Sequence, residues 1–152
     1  MENQNVIRSL NTAKVEVSKV LYTGKVHVTG GREGNANSTD GRLNIALSTP
    51  GTAGNGTNPE QLFAAGWSAC FIGAMKHNAS SLQIALPTNL AVDAEVDLGT
   101  GDGGFYLQAR LNVSLPGLTP EQAKTVVAAA HQTCPYSKAT SGNIDVDINI
   151  AV

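Results

Sequence analysis

The alternation of apolar and polar residues changes period several times along the chain. Residues 1 to about 18 are polar and weakly patterned, and read as an extension. Val20 to Val28 is rich in β-branched residues and Tyr, which predicts a strand. Gly30-Gly31-Arg32-Glu33-Gly34 is a turn, and Leu43, Ile45 and Leu47 alternate as a second strand. Thr49 to Thr57 holds Pro, Gly and Asn and reads as a loop. A helix follows, with Asn58 as its N-cap, Pro59 at the first helical position and Gln61 three residues after the cap. From Leu62 to Met75 it is apolar or small almost all round, the mark of a buried helix. Residues 90–98 and 105–115 predict two strands joined as a hairpin through Thr100-Gly101-Asp102-Gly103-Gly104. Thr119-Pro120-Glu121-Gln122 opens a second helix with the same cap logic, ending near Thr133 before Cys134-Pro135. Ile144, Val146, Ile148 and Ile150 keep a period of two and predict a last strand. Strands, buried helix, hairpin, helix and strand in that order predict an α+β domain.

Composition narrows the function. The chain has 152 residues, which suits one domain, and 41% hydrophobic residues, enough for a substantial core. Only 14% of residues are charged, so part of the surface is expected to be covered in an oligomer. The net charge is −2 without a basic cluster, which argues against nucleic acid as a partner. No run approaches the roughly eighteen apolar residues of a membrane span. The start, Met1-Glu2-Asn3-Gln4-Asn5, lacks the basic and apolar regions of a signal peptide, so the cytoplasm is the expected location. There, two cysteines are expected to be reduced, metal-bound or redox-active rather than a permanent bridge.

Cys70 lies in the middle of the apolar helix, with Gly66, Trp67, Gly73 and Ala74 one turn away. Small neighbours let another chain or a substrate approach the thiol, although a buried Cys also serves as a small hydrophobe. Cys134 sits at the end of the second helix. The two are far apart in sequence, so they form no Cys-x-x-Cys motif, but they could meet in space. His131 and Cys134 have a spacing that suits a metal, yet a second pair of ligands is missing, and no metal is expected. His131 is a formal base for a cysteine hydrolase, but no nucleophile motif surrounds Cys70. A peroxidatic thiol needs a cation nearby to hold it as thiolate, and Arg suits a partly apolar pocket better than Lys. Arg32, in its Gly-rich turn, is one candidate beside Arg8, Arg42 and Arg110. Glu60, in the first turn of the apolar helix, either complements the helix dipole or orients a guanidinium.

The run from Asn58 to Phe71, Asn-Pro-Glu-Gln-Leu-Phe-Ala-Ala-Gly-Trp-Ser-Ala-Cys-Phe, resembles the reactive-cysteine signature of organic hydroperoxide resistance proteins. Cys134-Pro135-Tyr136-Ser137, then Ala139-Thr140 and Gly142-Asn143-Ile144-Asp145-Val146, resembles the second signature, and Gly30 to Gly34 the Arg-bearing turn. The resemblance covers residues 20 to 152. It implies residues 1–18 as an extension and 19–152 as a single peroxidase domain. It implies an intertwined homodimer with β-sheets packed around buried central helices. It implies Cys70 as peroxidatic cysteine, Cys134 as resolving cysteine, and Arg32 with Glu60 as the activating pair. The implied substrates are alkyl and fatty-acid hydroperoxides. No resident cofactor is implied; the reductant would be an external dithiol, a lipoylated protein or a small dithiol. Phe63, Trp67 and Phe71 are candidates to cradle the alkyl tail, or are core. The osmotically inducible proteins share the fold and both cysteines, but the Gly-Trp-Ser-Ala-Cys and Pro-Tyr-Ser runs favour the organic hydroperoxide branch. A thiol redox sensor and a chemically inert structural dimer are the readings from other classes. The extension is longer, and the loop from Thr49 to Thr57 shorter, than the resemblance leads one to expect.

One expectation comes from helix geometry. At about 1.5 Å per residue, Glu60 and Cys70 stand roughly 15 Å apart along their helix. An Arg held by Glu60 would struggle to reach Cys70 of the same helix. Two such helices running antiparallel across a two-fold axis would bring Glu60 of one near Cys70 of the other. The site is therefore expected to be shared, with the thiols from one subunit and Arg32 and Glu60 from its partner.

Overall fold

The computed structural model describes residues 16–152; residues 1–15, most of the expected extension, lie outside them. The described chain builds two three-stranded sheets and three α-helices, an α+β arrangement. The first sheet contains β1 (Val26–Thr29), β2 (Asn35–Ser38) and β3 (Asn44–Ala46), paired antiparallel in chain order. The long helix α1 (Pro59–Ala79) follows. The second sheet contains β4 (Ala91–Gly101), β5 (Gly104–Ser114) and β6 (Asp145–Ala151). Between β5 and β6 lie α2 (Pro120–Thr133) and the short α3 (Pro135–Thr140).

Local chemistry sets the helix starts. The Asn58 side chain accepts from the Gln61 backbone N–H at 2.9 Å, with Pro59 just behind the cap. Thr119 and Gln122 close a full capping box at the start of α2, each side chain accepting from the other's backbone N–H. In the second sheet β5 is central, antiparallel to β4 and parallel to β6. Its alternation points Ala109, Leu111 and Val113 inward, onto Trp67, Phe71 and Met75 of α1 and Ala123, Val126 and Ala130 of α2. These residues form one core that also encloses Cys134.

The structure differs from the sequence reading in four places. The strand expected over 20–28 forms only at its end, as Val26–Thr29, with one further bond from the Thr39 N–H to the Lys25 carbonyl at 3.0 Å. The polar segment Asn35-Ala36-Asn37-Ser38 is a strand although it has no apolar pattern beyond Ala36. Pro135 ends α2 but starts α3, because proline lacks only an N–H that a first helical turn leaves unused. Finally, α1 is apolar all round but covered on one side. Trp67, Phe71, Ala74, Met75 and Ala79 are buried, whereas Ala65, Ala69 and Gly73, in line along the opposite face, are exposed in the single chain.

Candidate active site

Two pairs of side chains stand out, and they lie on different parts of the fold. The first is the thiol pair. Cys70 projects from the middle of α1 and Cys134 occupies the junction of α2 and α3, where its N–H bonds the Ala130 carbonyl at 2.8 Å. Their sulfurs are 3.2 Å apart, and both thiols are free. Cys134 is fully buried and Cys70 half-buried, so an external reagent meets Cys70 first. Burial pushes the Cys70 thiol up, the Tyr136 backbone N–H pulls it down, and Cys134 adds to the rise. Among the described residues of its own chain, no cation acts on this thiol.

The second pair is Arg32 with Glu60. Gly30 turns the chain with φ +72°, and a Cβ on Gly34 would overlap the Thr29 carbonyl oxygen. The chain therefore folds back tightly from β1 into β2 and presents Arg32 at the tip. The guanidinium donates to both Glu60 oxygens, Nη1 to Oε2 at 2.9 Å and Nη2 to Oε1 at 2.6 Å. This pairing holds the Glu60 carboxyl below its ordinary value and the Arg32 guanidinium above its own. The fork faces a cavity of about 580 Å³ whose other walls include Pro50, Ala64, Val96 and Leu98. Cys70 does not line it.

The predicted site residues thus assemble as two halves, Cys70 with Cys134 and Arg32 with Glu60. Of the aromatic candidates, two take the core alternative. Trp67 and Phe71 are 0% exposed and belong to the core, so as packed here they offer no surface to an alkyl chain. Phe63 is partly buried and meets the rings of Trp67 and Tyr136 edge-on, at centroid distances of 5.5 and 6.1 Å. The apolar lining of the cavity beside the fork includes Ala94, Val96 and Leu98, which share one face of β4. Their alternation is the only sequence signal that pointed there. His131 does not join a ligand cluster among the described residues; its Nδ1 is buried without a hydrogen-bond partner. Arg110, a competitor of Arg32, is committed to Asp97 and Glu95 on the outer face of the second sheet, and Arg42 lies beside Asp40.

The site thus consists of a free thiol pair on an α+β scaffold and a separate, oriented guanidinium. The OsmC-like protein family model matches residues 51–149. The organic hydroperoxide resistance protein of Xanthomonas axonopodis pv. citri (strain 306) is 50% identical over 137 residues, covering 88% of this chain and 96% of that protein. Organic hydroperoxide resistance protein OhrB of Bacillus subtilis (strain 168) is 42% identical over 133 residues, 86% of this chain and 98% of that one. The crystal structure of Bacillus subtilis OhrB superposes with TM-score 0.81 at 43% identity, covering 87% of this chain and all of that chain. The chain belongs to the organic hydroperoxide resistance proteins of the OsmC-like family.

Proposed function

We propose that the protein is a homodimeric, cysteine-based reductase of organic hydroperoxides, with Cys70 as the peroxidatic and Cys134 as the resolving thiol. The observation that carries this is the pair of free sulfurs 3.2 Å apart, one reachable and the other enclosed. The Cys70 thiolate attacks the terminal peroxide oxygen. The O–O bond breaks, the alkoxide leaves and takes up a proton as the alcohol, and Cys70 becomes a sulfenic acid. Cys134 then attacks that sulfur. The S–O bond breaks, the leaving hydroxide takes the Cys134 proton as water, and a Cys70–Cys134 disulfide forms. An external dithiol such as a dihydrolipoyl group reduces this disulfide and is itself oxidised to a disulfide.

The dimer reading answers two needs of the single chain. The thiol half lacks a cation to offset the burial and the neighbouring Cys134 that push the Cys70 thiol up. The exposed line of Ala65, Ala69 and Gly73 on α1 lets a second α1 approach closely. Across such a contact the partner's guanidinium fork completes the site, and the cavity beside it takes the alkyl part of the peroxide against Ala64, Val96 and Leu98. The test is peroxide consumption with organic against hydrogen peroxide, and with a dihydrolipoyl reductant against a monothiol. Sustained turnover of the organic peroxide with the dithiol is expected. One oxidation without turnover under any reductant would favour a redox sensor.

A further inference from the structure

Resolution requires Cys134 to stay beside Cys70 after Cys70 has been oxidised; its backbone is bonded to α2 and α3, through Ala130 and Lys138, rather than to the Cys70 helix. Cys134 is neither in α2 nor in α3 but at the joint between them, with an extended backbone. Beyond it, α3 is a single six-residue segment. On the α2 side the Asn78 amide of α1 donates to the Thr133 hydroxyl at 2.8 Å; on the other side, what docks α3 onto α1 helps set where the second sulfur sits.

The Phe63 ring meets Tyr136 edge-on two turns before Cys70, and two further contacts fall within one turn of it. The Trp67 indole Nε1 donates to the Ser137 hydroxyl at 3.2 Å, and both residues are buried. Trp67 lies three residues before Cys70, and Ser137 three residues after Cys134. The Tyr136 ring lies over Gly66, where a Cβ would stand 3.2 Å from its hydroxyl oxygen. Gly66 is one turn before Cys70, so the absent side chain leaves room for the ring. The indole N–H has no acceptor lone pair of its own and would be orphaned in the core without Ser137. That cost opposes any separation of α3 from α1.

Resting on the assignment of Cys70 and Cys134 above, we infer that the Trp67–Ser137 hydrogen bond is a positioning clamp for the resolving step. It holds the Cys134 segment against the Cys70 helix, so that the sulfenic acid meets the second thiol before a second peroxide arrives. Neither residue touches peroxide. A clamp of this kind acts on disulfide formation and leaves the first oxidation alone.

The test separates the two steps in the full-length protein with a stoichiometric amount of an organic hydroperoxide. Sulfenic acid is followed by trapping with a carbon nucleophile, and disulfide by loss of free thiol. In Ser137→Ala the first oxidation should stay within about twofold of wild type, while disulfide formation slows about fivefold, the rate equivalent of one buried hydrogen bond. Excess peroxide should then drive more Cys70 to sulfinic acid, because the sulfenic acid lives longer. Trp67→Phe approaches the same bond from the other side and should show the same split. The double variant should resolve no more slowly than the slower single one, as expected when both changes remove one interaction. Disulfide formation at the wild-type rate in both single variants, or both steps slowed alike, would overturn the clamp. If Cys134→Ser, where no second thiol can capture it, forms no trappable sulfenic acid at Cys70, the assignment of the thiols fails instead.

Discussion

Residues 26–46 and residues 91–151 each contribute three strands, yet only the second set has an interior. In the second sheet Leu111 and Val113 are enclosed by α1 and α2. In the first sheet and the arm before it, Val20, Leu21, Tyr22, Val26 and Val28 are all exposed, Leu21 at 87%. The first sheet is tied to the rest by the Arg32–Glu60 fork and by the Leu47–Thr57 bridge next to α1. A small sheet in which Ala36 is buried but Val26 and Val28 are exposed is not stable alone, and such a patch is the kind of surface that partners cover. The chemistry divides along the same line. The thiols sit where the chain builds its own core, and the cation sits where it does not.

The largest effects are expected at the thiols. Cys70→Ser should abolish turnover. Cys134→Ser should consume about one peroxide per subunit and leave a sulfenic acid behind. Loss of that first oxidation in Cys134→Ser, measured by stoichiometric peroxide titration, would break the division of roles. Next comes the cation. Arg32→Ala should raise the Cys70 pKa and slow the first oxidation by about tenfold or more at neutral pH, since an opposite charge shifts a thiol by roughly 1–3 units. Glu60→Gln should act in the same direction and more weakly, because the guanidinium remains but loses its orientation. Mixing Cys70→Ser with Arg32→Ala subunits under exchange should restore activity to part of the mixed dimers. Proven exchange without recovery would mean that each chain builds its site alone.

What the sequence made legible follows the same boundary between local and distant causes. Helix starts at Asn58 and Thr119 are written in neighbouring residues, because a cap bonds backbone groups three positions away. The period of two in β5 and β6 is equally local. The strand at Asn35–Ser38 was invisible because its neighbours β1 and β3, not its own residues, make it a strand. Trp67 and Phe71 were ambiguous because an aromatic residue near a thiol has one composition whether it lines a pocket or fills a core. The structure resolves this by enclosing both against Leu111 and Met75. Cys70 and Cys134 were paired through their motifs, and no spacing rule would have brought them to 3.2 Å. Ser137 carried no signal of its own, since its part depends on an indole seventy positions earlier.

Stability offers a finer probe of the two regions. Leu111→Ala removes a fully buried side chain from the self-contained core and should cost about 2–5 kcal/mol at any protein concentration. Val28→Ser, in the first sheet, changes a residue that the single chain leaves exposed. If the proposed dimer covers it, its cost should be about 1–2 kcal/mol and should appear through weakened association. Thermal unfolding at two well-separated protein concentrations distinguishes them, because association makes the Tm concentration-dependent. Identical, concentration-independent shifts in both variants would show that the first sheet is no interface.

The smallest effect is expected at the other guanidinium fork, which lies wholly within the second sheet. Arg110 donates to both oxygens of Asp97, at 2.8 and 2.9 Å, and Gln108 adds a third hydrogen bond at 2.7 Å. Together they hold the Asp97 carboxyl down at about 2. Asp97 points away from the cavity that its neighbours Val96 and Leu98 line, because successive residues of a strand face opposite sides. A carboxyl whose folded value is depressed stabilises the fold above its unfolded value of about 4, and that contribution is lost as pH falls from about 4 to about 2. Solvent and salt screen the fork, so the contribution is small. Asp97→Asn should therefore lower the urea midpoint slightly at neutral pH, and the two proteins should converge as the acid limit is approached. The pH profile of peroxide turnover should be the same in both. The Arg32–Glu60 fork has the same geometry, but disrupting it should change that profile, because in the proposed dimer its cation faces the partner's thiol. A turnover profile shifted by Asp97→Asn would mean that charge on the second sheet also reaches Cys70, and the separation between the two regions would fall.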